Sequence, residues 1–162
     1  MEDYGSQALR RLLEALSDAV LETHAKLGDA TAQIDASRIV DVARLLRDDP
    51  DLQFEMLTDL TCVDYIEQEP RFEVVYHFYS VARNRRVRIK ARVAADVCQI
   101  DSLIDLYPSA DWMEREVWDM YGVRFEGHPD LRRLLLYEEF EGHPLRKDYP
   151  KERRQPLVGP RN

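Results

Sequence analysis

The chain is predicted to fold as an α+β domain, a two-layer sandwich in which helices cover a mixed sheet. Three observations predict this class. Two early segments repeat apolar residues at helical spacing, three later segments are rich in β-branched and aromatic residues, and turn-forming residues separate them. The expected order is helix, strand, strand, helix, strand, strand, strand, followed by an extended C-terminal arm.

The first helix is predicted from one stripe of leucines that begins soon after Ser6, a residue type that caps helices. The stripe consists of Leu9, Leu12, Leu13 and Leu16. Residues 20–25 and 30–34 then predict a short hairpin, because the turn-like sequence between them separates two strand-forming runs.

The second helix is expected to begin at Asp35 or Ser37, either of which can cap it. It must stop before Pro50, because the residue before a proline avoids helical angles. Its apolar face consists of Ile39, Val42, Ala43 and Leu46.

Three strands follow, over residues 56–66, 72–81 and 87–93, and short turns between them favour an antiparallel meander. The last strand alternates between an apolar and a basic face. The apolar face consists of Val87, Ile89, Ala91 and Val93, and the basic one of Arg86, Arg88, Lys90 and Arg92. The basic face is either solvated, where its charges discourage edge pairing, or docked on an acidic partner.

Composition predicts one ordinary domain, since the chain has 162 residues of which 44% are hydrophobic. It has no apolar run of about eighteen residues that could span a bilayer and no signal-peptide layout at its amino terminus. Cys62 and Cys98 lie far apart, which is typical of a reducing compartment rather than a disulfide framework. We therefore expect a cytoplasmic protein.

Charge divides the chain into two parts. The net charge is -8, but residues 143–162 hold six basic and two acidic side chains, so this tail is basic and the rest strongly acidic. The tail also has four prolines and no apolar periodicity. We predict a globular domain over 1–142 and an extended basic tail over 143–162 that binds a partner, the alternative being a disordered tail. The acidic body disfavours nucleic acid.

A third helix is predicted over residues 112–121. Asp111 and Glu114 have the spacing of a capping box, and Gly122 can supply the left-handed residue that ends the helix. Its core face needs only apolar residues, so the charged residues of this helix are expected on other faces. Trp118, on the flank, closes this domain's own core or is buried in an interface.

The tetrapeptide Glu-Gly-His-Pro occurs twice, over residues 126–129 and 141–144. Glycine permits a positive φ, proline stops regular structure, and histidine can bond backbone groups across a bend, so both copies are predicted to be structural turns. Two histidines without a third ligand fall short of a metal site. The apolar run 134–137 between the two copies must be covered, either by this chain or by a partner.

Cofactor and catalytic motifs are absent. There is no glycine-rich phosphate loop, and two cysteines cannot hold an iron–sulfur cluster, which normally takes four. We expect no cofactor, no metal and no active site on this chain. A free-standing metal hydrolase built on the histidines is the alternative from a different class.

Three segments together resemble one known family. They are Leu57–Tyr65 (LTDLTCVDY), Phe72–Ser80 (FEVVYHFYS) and Glu114–Pro150, which includes ERE, DMYGVRFEGHPDLRR and EGHPLRKDYP. This set resembles the C-type subunit family of the proton-pumping NADH:quinone oxidoreductase, respiratory complex I. Tyr121 departs from the family pattern, where Phe is commoner.

The resemblance implies a cofactor-free member of the hydrophilic arm, peripheral on the cytoplasmic side of the membrane, while other subunits carry FMN and iron–sulfur clusters. It implies docking on the large D-type subunit, which helps form the quinone site. The B-type subunit, which holds the last cluster, and the ferredoxin-like I-type subunit are implied as further neighbours. The equivalent subunit of a membrane-bound hydrogenase or of a ferredoxin- or coenzyme-linked relative is the runner-up, and a transient assembly chaperone is a third possibility.

Candidate interface and turn residues come from this signature and from the start of the tail. They are Glu114, Arg115, Glu116, Trp118, Asp119, His128, Arg132, Arg133, His143, Arg146, Lys147, Asp148 and Tyr149.

Overall fold

The computed structural model describes residues 4–156, with side chains from residue 7. Residues 157–162 of the predicted tail lie outside the described residues. The helices are α1 (Tyr4–Ala15), α2 (Ile39–Asp48) and α3 (Ala110–Tyr121). The strands are β1 (Val20–His24), β2 (Thr31–Ile34), β3 (Met56–Asp64), β4 (Phe72–Ser80), β5 (Arg85–Val93), β6 (Gln99–Asp101) and β7 (Arg124–Glu126).

Five strands form one mixed sheet in the order β1-β2-β5-β4-β3. β1 pairs with β2, and β3 with β4 and β4 with β5, all antiparallel, whereas β2 and β5 are parallel. The predicted hairpin and meander are therefore both confirmed, and the parallel β2–β5 pair joins them into one sheet. The α+β class with a mixed sheet is confirmed.

A second, two-stranded sheet was not predicted. β6 and β7 are parallel to each other, and each is three residues long. Strands this short show no readable alternation, so no sequence pattern marks them. They flank α3 in the chain.

The core lies between the helices and one face of the large sheet. The predicted apolar face of β5 enters it, together with alternate residues of β4 and the predicted face of α2. Of the predicted α1 stripe, Leu9 and Leu12 are buried, Leu16 is partly buried and Leu13 is exposed. Tyr76, Phe72, Phe78 and Ile89 are among its fully buried side chains. Burial of this apolar surface is the main stabilising contribution to the large sheet and the helices that pack on it.

The first two helices begin close to where they were predicted. Asp35 accepts a hydrogen bond from the Ser37 amide (2.9 Å) and starts a short 3-10 turn that leads into α2, so of the two predicted caps Asp35 is the one used. α2 ends at Asp48, before Pro50 as expected. α1 already runs from Tyr4, so Ser6 lies inside the helix and not at its cap.

The opposite face of the sheet is open, and most of its charges neutralise one another. The buried Glu73 accepts from Lys90 (2.8 Å) and Arg92 (3.4 Å), and Arg88 pairs with Asp29 (3.1 Å). Arg86 instead lies over the Tyr79 ring, 5.6 Å from its centroid. Most of the predicted basic face is thus occupied by contacts within the chain.

None of the helices in residues 4–156 has the length and apolar composition needed to cross a membrane.

Candidate functional site

Helix α3 carries three of its five charged residues inward, contrary to the expectation. Glu114, Arg115 and Asp119 are all buried, beside the apolar Val117 and Met120. A buried charge is costly unless it is paired and hydrogen-bonded, so each of the three must have a specific partner. The partners come from the connections on either side of the helix.

Asp119 holds the segment that follows the second sheet. Its Oδ2 accepts from the amides of Leu134 (3.0 Å), Leu135 (2.9 Å) and Leu136 (3.0 Å), and its Oδ1 accepts from Arg133 (2.7 Å). Burial acts to raise the pKa of this carboxyl, but the four hydrogen bonds outweigh it and hold the pKa below the ordinary value. One side chain therefore fixes four consecutive residues of an otherwise irregular segment.

Arg133 extends this network toward the second Glu-Gly-His-Pro turn. Besides Asp119, it donates to the carbonyls of Phe140 (2.6 Å) and Gly142 (3.2 Å). Its guanidinium lies 5.8 Å from the Trp118 ring centroid and 5.6 Å from that of Phe140. Trp118 is half-buried, so it closes the edge of this network within its own chain and keeps some exposed surface.

Glu114 does not form the predicted capping box. α3 begins at Ala110 after Ser109, with no side-chain cap, and Glu114 turns toward the connection from β6. It accepts from the Leu103 amide (2.7 Å) and the Ser102 hydroxyl (2.6 Å). Burial raises the pKa of Glu114 to about 7 despite these two hydrogen bonds.

Arg115 joins the middle of α3 to the same C-terminal segment. It donates to the carbonyls of Arg132 and Arg133 (3.2 Å each), and its guanidinium lies 4.9 Å from the Trp112 ring centroid. A guanidinium stacked on an aromatic ring loses little freedom when it also donates to carbonyls. Trp112 therefore stays on the surface beside residues 132–133.

Both Glu-Gly-His-Pro copies are turns, as predicted, with Gly127 at φ 85° and Gly142 at φ 92°. His128 Nδ1 accepts from the Asp130 amide (3.1 Å), so its Nε2 carries the proton and donates to the Asp111 carbonyl (3.2 Å). His143 Nδ1 contacts the Asp119 carbonyl (3.0 Å). Within residues 7–156 no three His, Cys, Asp or Glu side chains are grouped to hold a metal ion.

The first residues of the predicted tail pack on their own domain. Arg146 donates to the Tyr121 carbonyl and lies 5.0 Å from the Phe72 ring centroid. The Lys147 amide donates to Asp64 (2.7 Å), and Asp148 pairs with Arg71 (2.8 Å). The predicted boundary at 142/143 is thus not a break in contacts, because buried groups of the domain need these partners.

Asp64 and Arg71 were not among the predicted residues, although they anchor the tail. Arg71 binds the buried Asp64 through two nitrogens (2.7 and 2.8 Å). The hydrogen bond from Arg71 is the main cause that lowers the pKa of Asp64. Asp64 ends β3 and Arg71 precedes β4, so their pairing depends on a turn whose shape the sequence does not specify.

Most of the remaining predicted residues keep exposed surface. Glu116, Arg132 and the Lys147 side chain are exposed, and Arg132 pairs with Asp130 (2.8 Å) at the surface. Tyr149 is half-buried and stacks on Phe140, with ring centroids 6.1 Å apart. Whether these side chains contact a partner stays a prediction.

Several large apolar side chains of α3 and of residues 134–145 keep exposed surface, and this set is called the apolar strip. Its exposed members are Trp112 (59%), Leu135 (62%) and Leu145 (52%), and its half-buried members are Leu134, Leu136, Tyr137 and Phe140. Several large apolar groups on one rigid surface are typical of an interaction site. The predicted need to cover residues 134–137 is met only in part by this chain.

The sequence matches one family over most of its length. The family model described as "Respiratory-chain NADH dehydrogenase, 30 Kd subunit" matches residues 32–155. The NADH-quinone oxidoreductase C subunit of Rhodopseudomonas palustris (strain BisB18) is 50% identical over 136 residues, 84% of this chain and 68% of that protein. The C subunit of the same enzyme from Roseiflexus castenholzii is 49% identical over 142 residues, 88% and 82% respectively.

Two solved structures share the fold. One is Nqo5, as its trypsin-resistant fragment (1-134), with 28% identity and a TM-score of 0.64 over 76% of this chain and 99% of that chain. The other is a chain of the membrane-bound sulfane sulfur reductase, an archaeal respiratory membrane complex. It has 26% identity and a TM-score of 0.77 over 92% of this chain and 87% of that one.

Proposed function

Because the chain belongs to the 30 Kd subunit family of respiratory-chain NADH dehydrogenases, we propose that it is a non-catalytic subunit of a proton-pumping NADH:quinone oxidoreductase. It docks on the large D-type subunit of the quinone site, next to the B-type subunit, with the ferredoxin-like I-type subunit as a further neighbour. It lies peripherally on the cytoplasmic side of the membrane. Its role is structural: it holds the neighbouring subunits at a fixed distance from one another.

The apolar strip is the observation that carries this proposal. No residue of 126–156 is buried as a whole, yet the segment is attached to the domain at many points. Its amides and Arg133 donate to Asp119, and its carbonyls accept from Arg115. An irregular segment that is fixed but uncovered presents its apolar side chains in a set arrangement. Such preorganisation reduces the ordering cost of binding a partner.

The composition of the strip also fits a protein partner. Tryptophan, tyrosine, phenylalanine and arginine are the residue types enriched in interface cores, and Trp112, Tyr137 and Phe140 lie along it. Asp119 and Arg133 beside it already form an ion pair within the chain. Docking therefore buries no unpaired charge at this pair, and the partner need not supply a counter-charge for it. An apolar contact with a polar rim is the expected form of the interface.

We further propose that this chain carries no cofactor, and that FMN and the iron–sulfur clusters belong to other subunits. The buried acids that resemble catalytic groups are engaged in holding backbone, as Asp119 and Glu114 show. His128 uses both ring nitrogens on backbone groups. These contacts support a structural use of the groups on which a hydrolase would depend.

A second candidate is the equivalent subunit of a ferredoxin-linked or hydrogenase-like relative of the complex. The likeness to a chain of the archaeal sulfane sulfur reductase complex favours it, since that match covers 92% of this chain. The companions of the purified complex separate the two. NADH-oxidising flavin and iron–sulfur subunits support the first candidate, and their replacement by hydrogenase-type subunits supports the second.

The docking is tested with Leu135→Asp and Trp112→Asp in the native complex. Each places a charge in the strip, so we expect the variant protein to be lost from the purified complex and quinone reductase activity to fall with it. Leu13→Asp is the matched control, because Leu13 is 43% exposed but lies on α1, away from the strip. This control variant should remain stoichiometric in the complex.

Truncation of residues 143–162 is the complementary test, since it removes the Arg146 and Lys147 contacts. We expect weakened assembly. Full activity with stoichiometric truncated protein would show that the tail is not a clamp. A protein found only in assembly intermediates would indicate a chaperone, and metal-dependent activity of the isolated chain would indicate a hydrolase.

A further inference from the structure

The tip of the β1–β2 hairpin carries a feature that neither packing nor turn chemistry explains. Leu27 has φ 58° and ψ 22°, in the left-handed region, and its side chain is entirely exposed. Glycine or asparagine normally occupies such a position, because a bulky side chain there is strained. A leucine at this tip is doubly unfavourable to the isolated domain, in backbone strain and in apolar exposure.

Beside this tip the open face of the sheet forms a concave pocket of about 490 Å³. Gly28 and Asp29 line one side of it, and His77, Arg86 and Arg88 line the other. Burial is the main cause that lowers the pKa of His77, so the pocket's positive charge comes from arginine. Arg88 forms an ion pair with Asp29, which neutralises its charge.

Arg86 is a cation of this pocket that remains available. Its side chain is exposed, and within residues 7–156 no carboxylate lies in ion-pair distance of it. Stacking on Tyr79 restrains the guanidinium without neutralising it. On a chain with a net charge of -8, an unneutralised arginine in a concavity favours a carboxylate over other groups.

We propose that this tip and pocket form a second docking surface, for an acidic segment of a neighbouring protein subunit. A carboxylate of that segment binds Arg86, and an aliphatic pocket beside it receives Leu27. Leu27 supplies an apolar anchor and Arg86 a restrained charge beside it. In protein interfaces a few such residues carry most of the binding energy. Both unfavourable features of the free tip then become contacts in the assembly.

The position of the surface gives it a consequence for the complex. The β1–β2 edge is the opposite end of the sheet order from β3, against which α3 packs. The two docking surfaces therefore lie toward opposite edges of one rigid sheet. The chain bridges two neighbours, an inference that rests on the proposed function as a docking subunit.

Site-specific photo-crosslinking in the assembled complex tests the proposal. A benzoylphenylalanine replaces Leu27 in one strain and Leu135 in another, and the crosslinked peptides are identified by mass spectrometry. From Leu27 we expect a peptide of another subunit that is rich in Asp or Glu. Crosslinks from Leu27 to RNA, to lipid, to this same chain, or to nothing overturn the proposal.

The Leu135 strain separates this failure from that of the proposed function. If Leu135 crosslinks to a large neighbour while Leu27 does not, only the second surface is wrong. If neither position crosslinks to another protein of the complex, the docking function itself is wrong.

Two variants measure the contribution of each contact. Leu27→Asn suits the left-handed backbone, so the isolated chain should keep or slightly raise its melting temperature, while its loss from the complex becomes about tenfold faster. Arg86→Glu should accelerate loss similarly, with Arg10→Glu, an exposed residue of α1, as the charge-matched control. Unchanged retention of both variants would overturn the proposal.

Discussion

The sheet layer and the C-terminal segment are stabilised in different ways. The sheet buries alternate side chains of β4 and β5 against two helices, and its open face balances most of its charges in pairs. No residue of 126–156 is buried as a whole, and the segment depends on hydrogen bonds to a few buried charged groups. In the C-terminal segment, loss of one buried charged group therefore leaves several hydrogen-bonding partners unsatisfied at once, which makes this segment sensitive to single polar substitutions.

The largest effect is expected from Asp119→Ala. The change leaves Arg133 without its carboxylate and three consecutive amides without an acceptor, so the free energy of unfolding should fall by about 3–5 kcal/mol. Urea unfolding measures this, and trypsin should cleave after Arg132 or Arg133 before the rest of the domain opens.

Asp130→Ala is the control for this variant. Asp130 pairs with Arg132 at the surface, where an ion pair contributes less than about 1 kcal/mol. Equal losses in the two variants would mean that the C-terminal segment is not held by Asp119. Because the pKa of Asp119 is lowered in the folded chain, its contribution is present above the ordinary aspartate pKa and is lost as the pH falls through the folded value.

A smaller effect is expected from Gly122→Ala. At φ 77° an alanine is strained, and its Cβ would lie 2.6 Å from the His143 ring and 2.8 Å from Arg146. Both side chains attach the tail, so we expect a loss of about 2–3 kcal/mol and a mobile tail by hydrogen exchange.

Gly127→Ala isolates the backbone component of that loss. Gly127 has φ 85° but open space where the alanine methyl group would lie, so only the strain of about 1 kcal/mol should appear. If Gly127→Ala is as damaging as Gly122→Ala, close packing of His143 and Arg146 is not what attaches the tail.

Glu114→Gln should stabilise the folded chain, unlike the other variants, and should do so only at higher pH. The folded pKa of about 7 lies above the ordinary glutamate value, so ionisation of Glu114 destabilises the folded chain increasingly as the pH rises between these values. Glutamine keeps partners for Leu103 and Ser102 without the charge. The variant should be more stable by about 2 kcal/mol at pH 8 and nearly unchanged at pH 5. A constant difference across this range would contradict the assignment.

The smallest effect is expected from Asp148→Ala. Arg71 retains its two-point contact with the buried Asp64, so the loss of the partly exposed Asp148 should cost less than about 1 kcal/mol in thermal unfolding. A loss comparable to that of Asp119→Ala would remove the distinction between surface and buried anchors.

The fold was readable because its elements follow periodic rules. The leucine stripe of α1, the alternation of β5 and the proline after α2 each depend on neighbours in sequence. The last two predictions are confirmed, and the first is confirmed for Leu9 and Leu12, whereas Leu13 is exposed and Leu16 follows the helix. The short β6 and β7 carry no period, and the helix-ending role of Gly122 was predicted from its residue type alone.

The candidate site was less readable because its contacts are long-range. A charged residue on a helix was placed outward by the usual preference, yet Asp119 turns inward to amides fifteen and more residues away. Glu114 had the spacing of a capping box, but the Leu103 amide is its actual donor. The spacing of apolar residues predicts which face of a helix is buried. It does not predict which backbone amides, distant in sequence, donate to a side chain on that face.

Oxidative footprinting of the free chain and of the assembled complex tests the central claim most directly. Hydroxyl radicals modify exposed tryptophan and leucine, so Trp112 and Leu135 should be modified in the free chain and protected several-fold in the complex, whereas Leu13 on α1 should change little. Equal modification of Trp112 and Leu135 in both states would show that the apolar strip is not where this chain meets its neighbours.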